Sequence, residues 1–274
     1  MSEALITSSS REQGRVSILS YRRVALRCWR MAVATLLAGV MSLPAVAADT
    51  IMIGVDAGNP PFMYKQEGEN AARGVYPALI KAVFERLNVP VQVQALPWKR
   101  VLLDIDRGVA GVGGIYKNEA RLLKYDYSDP LFVERIAVYF NKSKPIAYKT
   151  IEDLYGKRVG VILGWSYGDD FDLARTYDQI SVETVNSDEQ NFEKLLRGRV
   201  DAVLAIVESG ERLRKHSKYK DLVMAKNLLV SNPAHLAFLK KNNQLVLIQR
   251  FNKELVEMKK DGSLDKIVEE ELSR

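Results

Sequence analysis

The chain has 274 residues, of which 47% are hydrophobic and 27% charged, with a formal net charge of +6 and a single cysteine. This composition is typical of an ordinary globular protein and excludes a low-complexity chain. Six arginines and two glutamates within the first 48 residues contribute four of the six positive charges. The remaining chain carries only +2, so charge gives no basis for nucleic-acid binding.

Residues 1–48 have the pattern of a secretory signal peptide. The basic stretch YRRVALRCWR leads into the apolar run MAVATLLAGVMSLPAVAA, which ends in small residues. This three-part plan predicts cleavage near Ala47 or Ala48. The apolar run is shorter than the roughly 20 residues of a membrane-spanning helix. Because Cys28 lies in this leader, the mature chain lacks disulfides and a lipid-anchoring cysteine, and we expect a soluble periplasmic protein.

The first part of the mature chain alternates between strand and helix patterns. The short apolar runs TIMIGVDA, VPVQVQALP and VAGVGGIY predict buried strands. Between them, VYPALIKAVFERLN (75–88) and WKRVLLDIDRG (98–108) have helical spacing and end at Asn88 and Gly108. Strand, helix, strand, helix, strand predicts a parallel sheet with helices on both faces.

The same pattern starts again in a second unit over roughly 141 to 232. Thr150 caps a short helix, and a strand then ends at Gly164. SYGDDFDLARTY predicts a helix, ISVETV a strand, and SDEQNFEKLLRGRVDAVLAIV a helix capped by Ser187 followed by a strand. The strand AHLAFLKKN and a helical segment close the chain. Two open α/β units in tandem bind ligands in the crevice at the carboxyl ends of their strands.

Four segments at characteristic spacing carry a resemblance to a known family. They are IGVDAGNPPFMY, NEARLLKYDYSDPLF, TIEDLYGKRVGVILGWSYG and FNKELVEMKKDGSLDKI. In this order they resemble the family 3 periplasmic solute-binding proteins, the amino-acid receptors of ABC importers. The resemblance implies a two-lobed, type II periplasmic binding protein fold, with two open α/β lobes joined by two hinge strands near 136–140 and 232–236.

The resemblance also implies a domain division and a function. Lobe 1 comprises 49–138 and 235–274, and lobe 2 comprises 139–234. The lobes close around an amino acid or related small carboxylate by hinge motion, and the closed protein delivers it to the permease of an ABC importer in the inner membrane. We expect a monomer that needs no cofactor and no metal.

Arg121 is the predicted carboxylate clamp. The matching arginine of the family holds the ligand's carboxylate through a planar fork of donors. Local sequence alone favours a surface arginine paired with Asp126 or Asp129, just before and within a predicted Tyr-Ser-Asp-Pro turn (127–130). The family spacing favours the clamp.

Aromatic residues are predicted to form the walls of the ligand site. Trp98 matches a family position at the start of a helix after Pro97, and Phe62 follows a Pro-Pro turn, where core packing is the alternative. Many relatives carry a second aromatic wall where this chain has Asn59. That difference favours a more polar ligand or a different stacking partner.

Three further residues have both a ligand-binding and an ordinary interpretation. Arg100 lies near the expected cleft mouth, although charged residues at a helix start are usually solvated. Ser166 matches the Ser/Thr of the second lobe that helps hold the carboxylate, and it is equally suited to cap a helix. Tyr167 beside it faces either ligand or solvent.

Gly114 and Tyr116 line the end of the strand before Arg121. A glycine there permits close approach of the backbone to a ligand, or reflects tight strand packing. In the second lobe, the family's ammonium-binding aspartate is replaced by Ile206. Two acids can take the place of this aspartate: Glu208, which would face the same side of a continued strand, and Asp56, at the tip of the first strand. The alternative for Glu208 is an exposed side chain at the start of the next helix.

The sequence is also compatible with two other functions. Some exported enzymes share the fold, such as the cyclohexadienyl dehydratases, but this chain has no Ser/His/Asp arrangement and no metal-ligand spacing around its two histidines. We therefore predict no enzyme activity and no catalytic residues. A ligand-sensing receptor for a separate signalling partner is the other alternative.

Overall fold

The structure is a computed structural model that describes residues 50–66, 68 and 71–274. The predicted signal peptide, residues 1–48, lies outside the described residues. Within those ranges, no helix combines the length and the apolar character required to cross a bilayer.

A mixed sheet of eight strands forms the centre of the described chain, in the order β5-β1-β6-β11-β7-β10-β8-β9. The strands are β1 (Ile51–Asp56), β2 (Gly58–Asn59), β3 (Met63–Lys65), β4 (Ala72–Arg73), β5 (Val91–Leu96), β6 (Gly111–Tyr116), β7 (Tyr125–Asn141), β8 (Arg158–Ile162), β9 (Ser181–Val185), β10 (Ala202–Ile206) and β11 (Leu222–Leu239). Short strands β2, β3 and β4 form a separate small sheet.

Eight α-helices connect or follow the strands in the described residues. They are α1 (Val75–Arg86), α2 (Trp98–Asp106), α3 (Glu119–Leu122), α4 (Asp169–Thr176), α5 (Asp188–Leu196), α6 (Val207–Arg214), α7 (Leu245–Lys260) and α8 (Ser263–Ser273). The predicted helices over 75–88 and 98–108 are confirmed to within two residues at their C-terminal ends. The short helix after Thr150 is a 3₁₀ turn, Ile151–Leu154, and Thr150 and Asp153 cap it reciprocally.

Both predicted α/β units contain parallel strands. In the first sheet half, β1 pairs in parallel with β5 and β6, and in the second sheet half, β8 pairs in parallel with β9 and β10. These runs are rich in Val and Ile and are largely buried, as expected for strands covered by helices. The carboxyl ends of the strands in each half lead directly into the loops that carry most predicted site residues.

Two long antiparallel strands join the halves. Strands β7 and β11 pair with each other over most of their length, and β11 also pairs with β6 while β7 pairs with β10. The predicted Tyr-Ser-Asp-Pro turn is wrong, because residues 127–130 lie inside β7. The register shifts where His235 lies opposite Pro130. This irregularity accommodates a residue that has no N–H to donate to the ladder.

Candidate functional site

The loops at the carboxyl ends of the strands face each other in a cleft between the sheet halves. The β1–β2 turn of the first half approaches the loop after β9 so closely that a Cβ on Gly58 would lie 2.4 Å from the Asn186 carbonyl oxygen. A cavity of about 290 Å³ lies between the halves, next to Asp56, Trp98 and Ser187. This volume is close to that of small-molecule sites.

Arg121 lies in a smaller cavity of the same cleft. Its volume is about 10 Å³, and it is lined by Trp98, Gly114, Tyr116, Arg121, Trp165 and Ser166. Five of these six were predicted from sequence to bind ligand; Trp165 was not. The structure therefore brings together residues from β6, from the start of α2 and from the loop after β8, which lie far apart in the sequence.

The guanidinium of Arg121 is bonded to backbone carbonyls. Nη1 donates to the oxygen of Tyr116 at 3.1 Å and Nη2 to the oxygen of Gly164 at 3.3 Å. Burial lowers the pKa of Arg121 from its ordinary value, and the charge of Asp172 opposes this shift. Within the described residues, Arg121 makes no ion pair with Asp126 or Asp129, so the predicted surface pair is not formed. Both neutral acceptors can be exchanged for a carboxylate, which a guanidinium binds more strongly.

The loop 163–166, which follows β8, makes contacts across the cleft. The Trp98 Nε1 donates to the Gly164 oxygen at 3.1 Å, so this carbonyl accepts from both Trp98 and Arg121. Trp165 Nε1 donates to Asp56 Oδ2 across the cleft at 2.9 Å, and its ring packs edge-on against Tyr116. This role of Trp165 was not predicted from the sequence. Its position directly after a glycine at a strand's carboxyl end was the available signal.

Asp56 lies at the tip of β1 and is 3% exposed. Burial raises the pKa of its carboxyl, while the bonds from Trp165 and from the backbone N–H of Gly58 oppose the shift. The Gly58 nitrogen donates to Oδ1 at 3.0 Å. Both carboxylate oxygens therefore have donors in this closed arrangement of the halves.

Ser166 and Tyr167 differ from their predicted ordinary roles. Ser166 lines the Arg121 cavity, and its hydroxyl donates to Asp172 of α4. It is not the helix cap, because Gly168 occupies that position. Tyr167 is 1% exposed and faces neither the cleft nor solvent: its hydroxyl accepts from the Ile162 nitrogen at 2.8 Å. The expectation for Tyr167 is corrected, since its ring packs in the core beside Phe171.

Phe62 is placed in the core rather than in a cleft wall. It is fully buried and packs against Tyr76 and Phe132, with ring centroids 5.7 and 5.5 Å away. Asn59, also buried, bridges the halves: its Oδ1 accepts from the Ser209 hydroxyl at 3.0 Å. The Asn59 Nδ2 has no partner among the described residues.

Arg100 lies on the surface of α2. Its Nε donates to Asp104 at 2.9 Å, one helical turn away, and its side chain is 58% exposed. It does not line the Arg121 cavity. Arg100 is therefore solvated, which is the ordinary interpretation given to it from the sequence.

Gly114 is conformationally required. Its φ of +78° is in the left-handed region, and a Cβ would lie 2.7 Å from the Tyr76 ring and 2.9 Å from the Met63 sulfur. The glycine thus serves tight packing of β6 against α1 while its backbone lines the cavity beside Arg121.

Glu208 is in the first turn of α6, as predicted, but its side chain is only 21% exposed, so the expected exposure is wrong. It reaches the strand that joins the halves. Its Oε1 accepts from Arg135 of β7 at 2.8 Å. Next to Arg135 in the sequence, Glu134 is 1% exposed and accepts a hydrogen bond from the Tyr76 hydroxyl. Sequence reasoning did not select Glu134 or Tyr76.

No group of His, Cys, Asp and Glu within the described ranges is arranged to hold a metal ion. His235, in β11, is buried and bonded through Nδ1 to the Ser128 oxygen at 2.8 Å. A larger cavity of about 400 Å³, lined by residues within 148–152, 167–171 and 228–230, shares only Tyr167 with the predicted site.

Comparison with known proteins identifies the family of this chain. The chain matches the profile of the bacterial extracellular solute-binding proteins, family 3, over residues 51–273. The L-cystine-binding protein TcyJ of Escherichia coli K12 is 27% identical over 222 residues, covering 80% of this chain and 81% of TcyJ. The probable amino-acid-binding protein YxeM of Bacillus subtilis is 23% identical over 225 residues, covering 81% and 83%.

Solved structures show the same fold. An ancestral arginine-binding protein bound to arginine is 30% identical, with a TM-score of 0.70, and the match covers 81% of this chain and 97% of that one. The family match spans almost all of the described chain, and the resemblance predicted from four sequence segments is confirmed. This chain belongs to the bacterial extracellular solute-binding proteins, family 3.

Proposed function

We propose that this protein is a periplasmic receptor that captures an amino acid in the cleft and delivers it to an ABC importer. The observation that carries the proposal is the Arg121 guanidinium, half-buried in the cleft and bonded only to neutral carbonyls among the described residues. The ligand's carboxylate replaces these carbonyls and pairs with the fork of donors. Ser166, in the same cavity, is the second donor once its hydroxyl turns from Asp172 to the ligand.

Capture requires the two sheet halves to separate and close again. We propose that 49–138 with 235–274 move as one lobe and 139–234 as the other, with β7 and β11 as the hinge. The bonds from Trp165 to Asp56 and from Arg121 to Gly164 join the two sides. Opening breaks these bonds and gives the ligand access to Arg121.

The names of the relatives indicate where to look for the ligand. They include binding proteins for L-cystine and for arginine. Amino acids with polar or charged side chains are therefore the first candidates, in agreement with Asn59 at a position where many relatives have an aromatic wall.

Ligand binding is tested on protein exported to and purified from a bacterial periplasm. Thermal-shift screening covers the common amino acids, L-cystine and small carboxylates without an amino group. A ligand at 100 times its dissociation constant adds about 2.7 kcal/mol to the free energy of unfolding. A panel without any stabilising compound contradicts the receptor proposal.

Two further measurements separate the receptor from its alternatives. A receptor returns its ligand chemically unchanged, so mass spectrometry after prolonged incubation distinguishes it from an enzyme of the same fold. Uptake of the labelled ligand falls in a deletion strain if the protein serves an importer. Unchanged uptake with a lost transcriptional response instead indicates a sensor.

A further inference from the structure

A groove of about 690 Å³ lies on the surface of the first sheet half. It is formed where three segments meet: the end of α2, the residues before β7 and the end of β11. The residues that line it are Asp106, Arg107, Leu123, Lys124, Leu239, Lys240 and Lys241. Four of these seven are basic, one is acidic and two are leucines, so we call it the basic groove. None of them lines the Arg121 cavity.

The basic groove lies at the far end of the sheet half from the ligand cleft. Tyr116 is at the cleft end of β6, where its carbonyl holds Arg121. Strand β11 runs antiparallel to β6, with Ala234 opposite Tyr116. Leu239 is at the end of β11, five residues further along, which corresponds to roughly 16 Å of strand. The groove is therefore separate from the site proposed for the amino acid.

The positive charges of the basic groove are only partly neutralised. Asp106 accepts from Lys124 at 3.3 Å and from the Tyr125 hydroxyl at 2.6 Å. The other basic residues of the groove form no ion pair within the part of the chain that the structure describes: Arg107, Lys240 and Lys241. An anionic surface that covers the groove therefore meets three positive charges without a carboxylate partner.

Exposed apolar side chains accompany these charges. Leu123 is 81% exposed, more than any other large hydrophobic residue of the described chain, and Leu122 beside it is 46% exposed. Val109 is 63% exposed and follows Gly108, where an added Cβ would lie 3.3 Å from the side chain of Leu239. Single exposed leucines are ordinary, but several at one basic surface indicate an interaction site.

The composition of the groove favours a lipid surface over a protein partner. Protein interfaces are enriched in aromatic residues and arginine and depleted in lysine, and leucine is rare among their strongest contacts. No residue that lines the groove is aromatic, and three of its four cations are lysines. A lysine carries a point charge on a flexible stem, which suits scattered phosphates. Lysines that flank exposed leucines are typical of surfaces at a bilayer interface.

We propose that the basic groove, with Leu122 and Leu123 at its edge, docks this protein on a bilayer of anionic phospholipid. The basic side chains bind headgroup phosphates, and the leucines insert at the boundary of the acyl chains. Each basic residue near an anionic surface increases affinity about 5-fold, so the association is weak and reversible. Docking in this orientation leaves the cleft on the aqueous side. It goes beyond the proposed function, because it requires no amino-acid ligand.

Vesicle sedimentation tests this docking with the protein purified from a periplasm. Vesicles of phosphatidylglycerol, which is anionic, are compared with vesicles of phosphatidylcholine, which has no net charge. Wild type is expected to bind the anionic vesicles more tightly, and high salt is expected to weaken this binding because it screens exposed charges. Inorganic phosphate at the same phosphate concentration is not expected to release the protein. Release by phosphate would assign the groove to a free anion and overturn the proposal.

Paired lysine variants locate the contact. Lys240→Gln combined with Lys241→Gln is expected to weaken binding to the anionic vesicles about 30-fold, from about 5-fold for each residue. Lys259→Gln combined with Lys260→Gln is the matched control with the same change in net charge. These two lysines end α7, a helix about 24 Å long that begins shortly after Lys241. The control is expected to retain affinity within about 3-fold, because distant charges are screened.

Leu123 reports on insertion into the bilayer. Leu123→Ser is expected to weaken vesicle binding about 10-fold through the loss of apolar contact, while urea unfolding stays unchanged because the side chain is exposed. Leu123→Trp adds a fluorophore at the same point, and brominated phosphatidylglycerol is expected to quench it. Trp98 and Trp165 are only 5% and 6% exposed, so their emission is not expected to respond to the lipid.

Several results would overturn membrane docking. They are equal binding to the two lipids, equal losses for the two lysine pairs, and bound Leu123→Trp that brominated lipid does not quench. Absence of vesicle binding also overturns it. If Lys240→Gln with Lys241→Gln then lowers uptake of the labelled ligand in cells, the groove contacts a protein instead. The receptor function is tested separately, since it fails only when no amino acid binds.

Discussion

Arg121 and the two glutamates Glu134 and Glu208 differ in how their polar atoms are satisfied. The Arg121 guanidinium is bonded to the carbonyls of Tyr116 and Gly164. Glu134 and Glu208 accept from Tyr76 and Arg135, yet each keeps a buried oxygen without a partner in the described residues. Under the proposed function, a ligand's carboxylate can replace the neutral groups that hold the arginine, whereas a buried carboxylate oxygen without a donor lowers the stability of the protein.

Removing Arg121 is expected to have the largest effect on ligand binding. Arg121→Ala is expected to cost about 2–5 kcal/mol of ligand binding, because the ligand's carboxylate is left unpaired in the closed cleft. Arg121→Lys is expected to recover only part of the loss, since an ammonium lacks the planar fork. Calorimetric titration of the three proteins measures both effects.

Arg100→Ala is the matched control for that experiment. Arg100 is paired with Asp104 on the surface of α2, so its removal is expected to leave affinity unchanged. Equal affinities for wild type and Arg121→Ala would exclude the clamp. A loss in both variants would show a general charge effect rather than a specific contact.

Asp188, a third buried acid, extends this comparison through the pH dependence of stability. Burial raises the pKa of Asp188 from 3.8 to about 7, with the charge of Asp56 adding to the shift and Arg212 opposing it. A carboxyl whose pKa is raised on folding contributes fully to stability below its pKa in the unfolded chain. This contribution is lost as the pH rises through its pKa in the folded protein. The contribution of Asp188 to the stability of the ligand-free protein is thus expected to fall between pH 3.8 and about 7.

Asp188→Asn removes this titration. The variant is expected to gain on the order of 2 kcal/mol relative to wild type at the upper end of the window, and little at the lower end. Urea unfolding at closely spaced pH values measures the difference. The exposed Asp170→Asn serves as control, and parallel pH profiles for wild type and Asp188→Asn would contradict the prediction.

Trp165 tests the connection across the middle of the cleft. Trp165→Phe removes the only indole donor to Asp56 among the described residues, and a buried acceptor without its donor costs about 1–3 kcal/mol of stability. Trp98→Phe removes a bond to the neutral Gly164 carbonyl instead, with an expected cost of about 0.5–1.5 kcal/mol. Thermal and urea unfolding compare the stabilities of the two variants. A larger loss of stability for Trp98→Phe than for Trp165→Phe would contradict the prediction.

Two serines give the smallest expected effects. Ser166→Ala is expected to weaken ligand binding by about 0.5–1.5 kcal/mol, as for one neutral hydrogen bond. Ser187 caps α5, since its hydroxyl accepts from the Gln190 nitrogen. Ser187→Ala is expected to lower stability by about 1 kcal/mol with little change in affinity. Calorimetry and urea unfolding of both variants check this division, and a stability loss confined to Ser166→Ala would contradict it.

The sequence predicted the helices and strands that carry the site, because these depend on local pattern. Hydrophobic periodicity placed the helices after Val75 and Trp98 and the buried strands between them, because burial on one face imposes a regular spacing. The family resemblance selected Arg121, Trp98 and Ser166, whereas local sequence alone favoured a surface ion pair for Arg121. All three line one cavity.

Tertiary structure decided what lies opposite what. Residues 127–130 resemble a turn locally but become part of β7, because long-range pairing with β11 outweighs local preference. Glu134 and Glu208 are 74 positions apart and meet only through the register of β7 and β10. The bond between Asp56 and Trp165 depends on how the halves close. Periodicity reports which side of an element is buried, whereas the partner of a buried charge is set by packing between elements that no local pattern encodes.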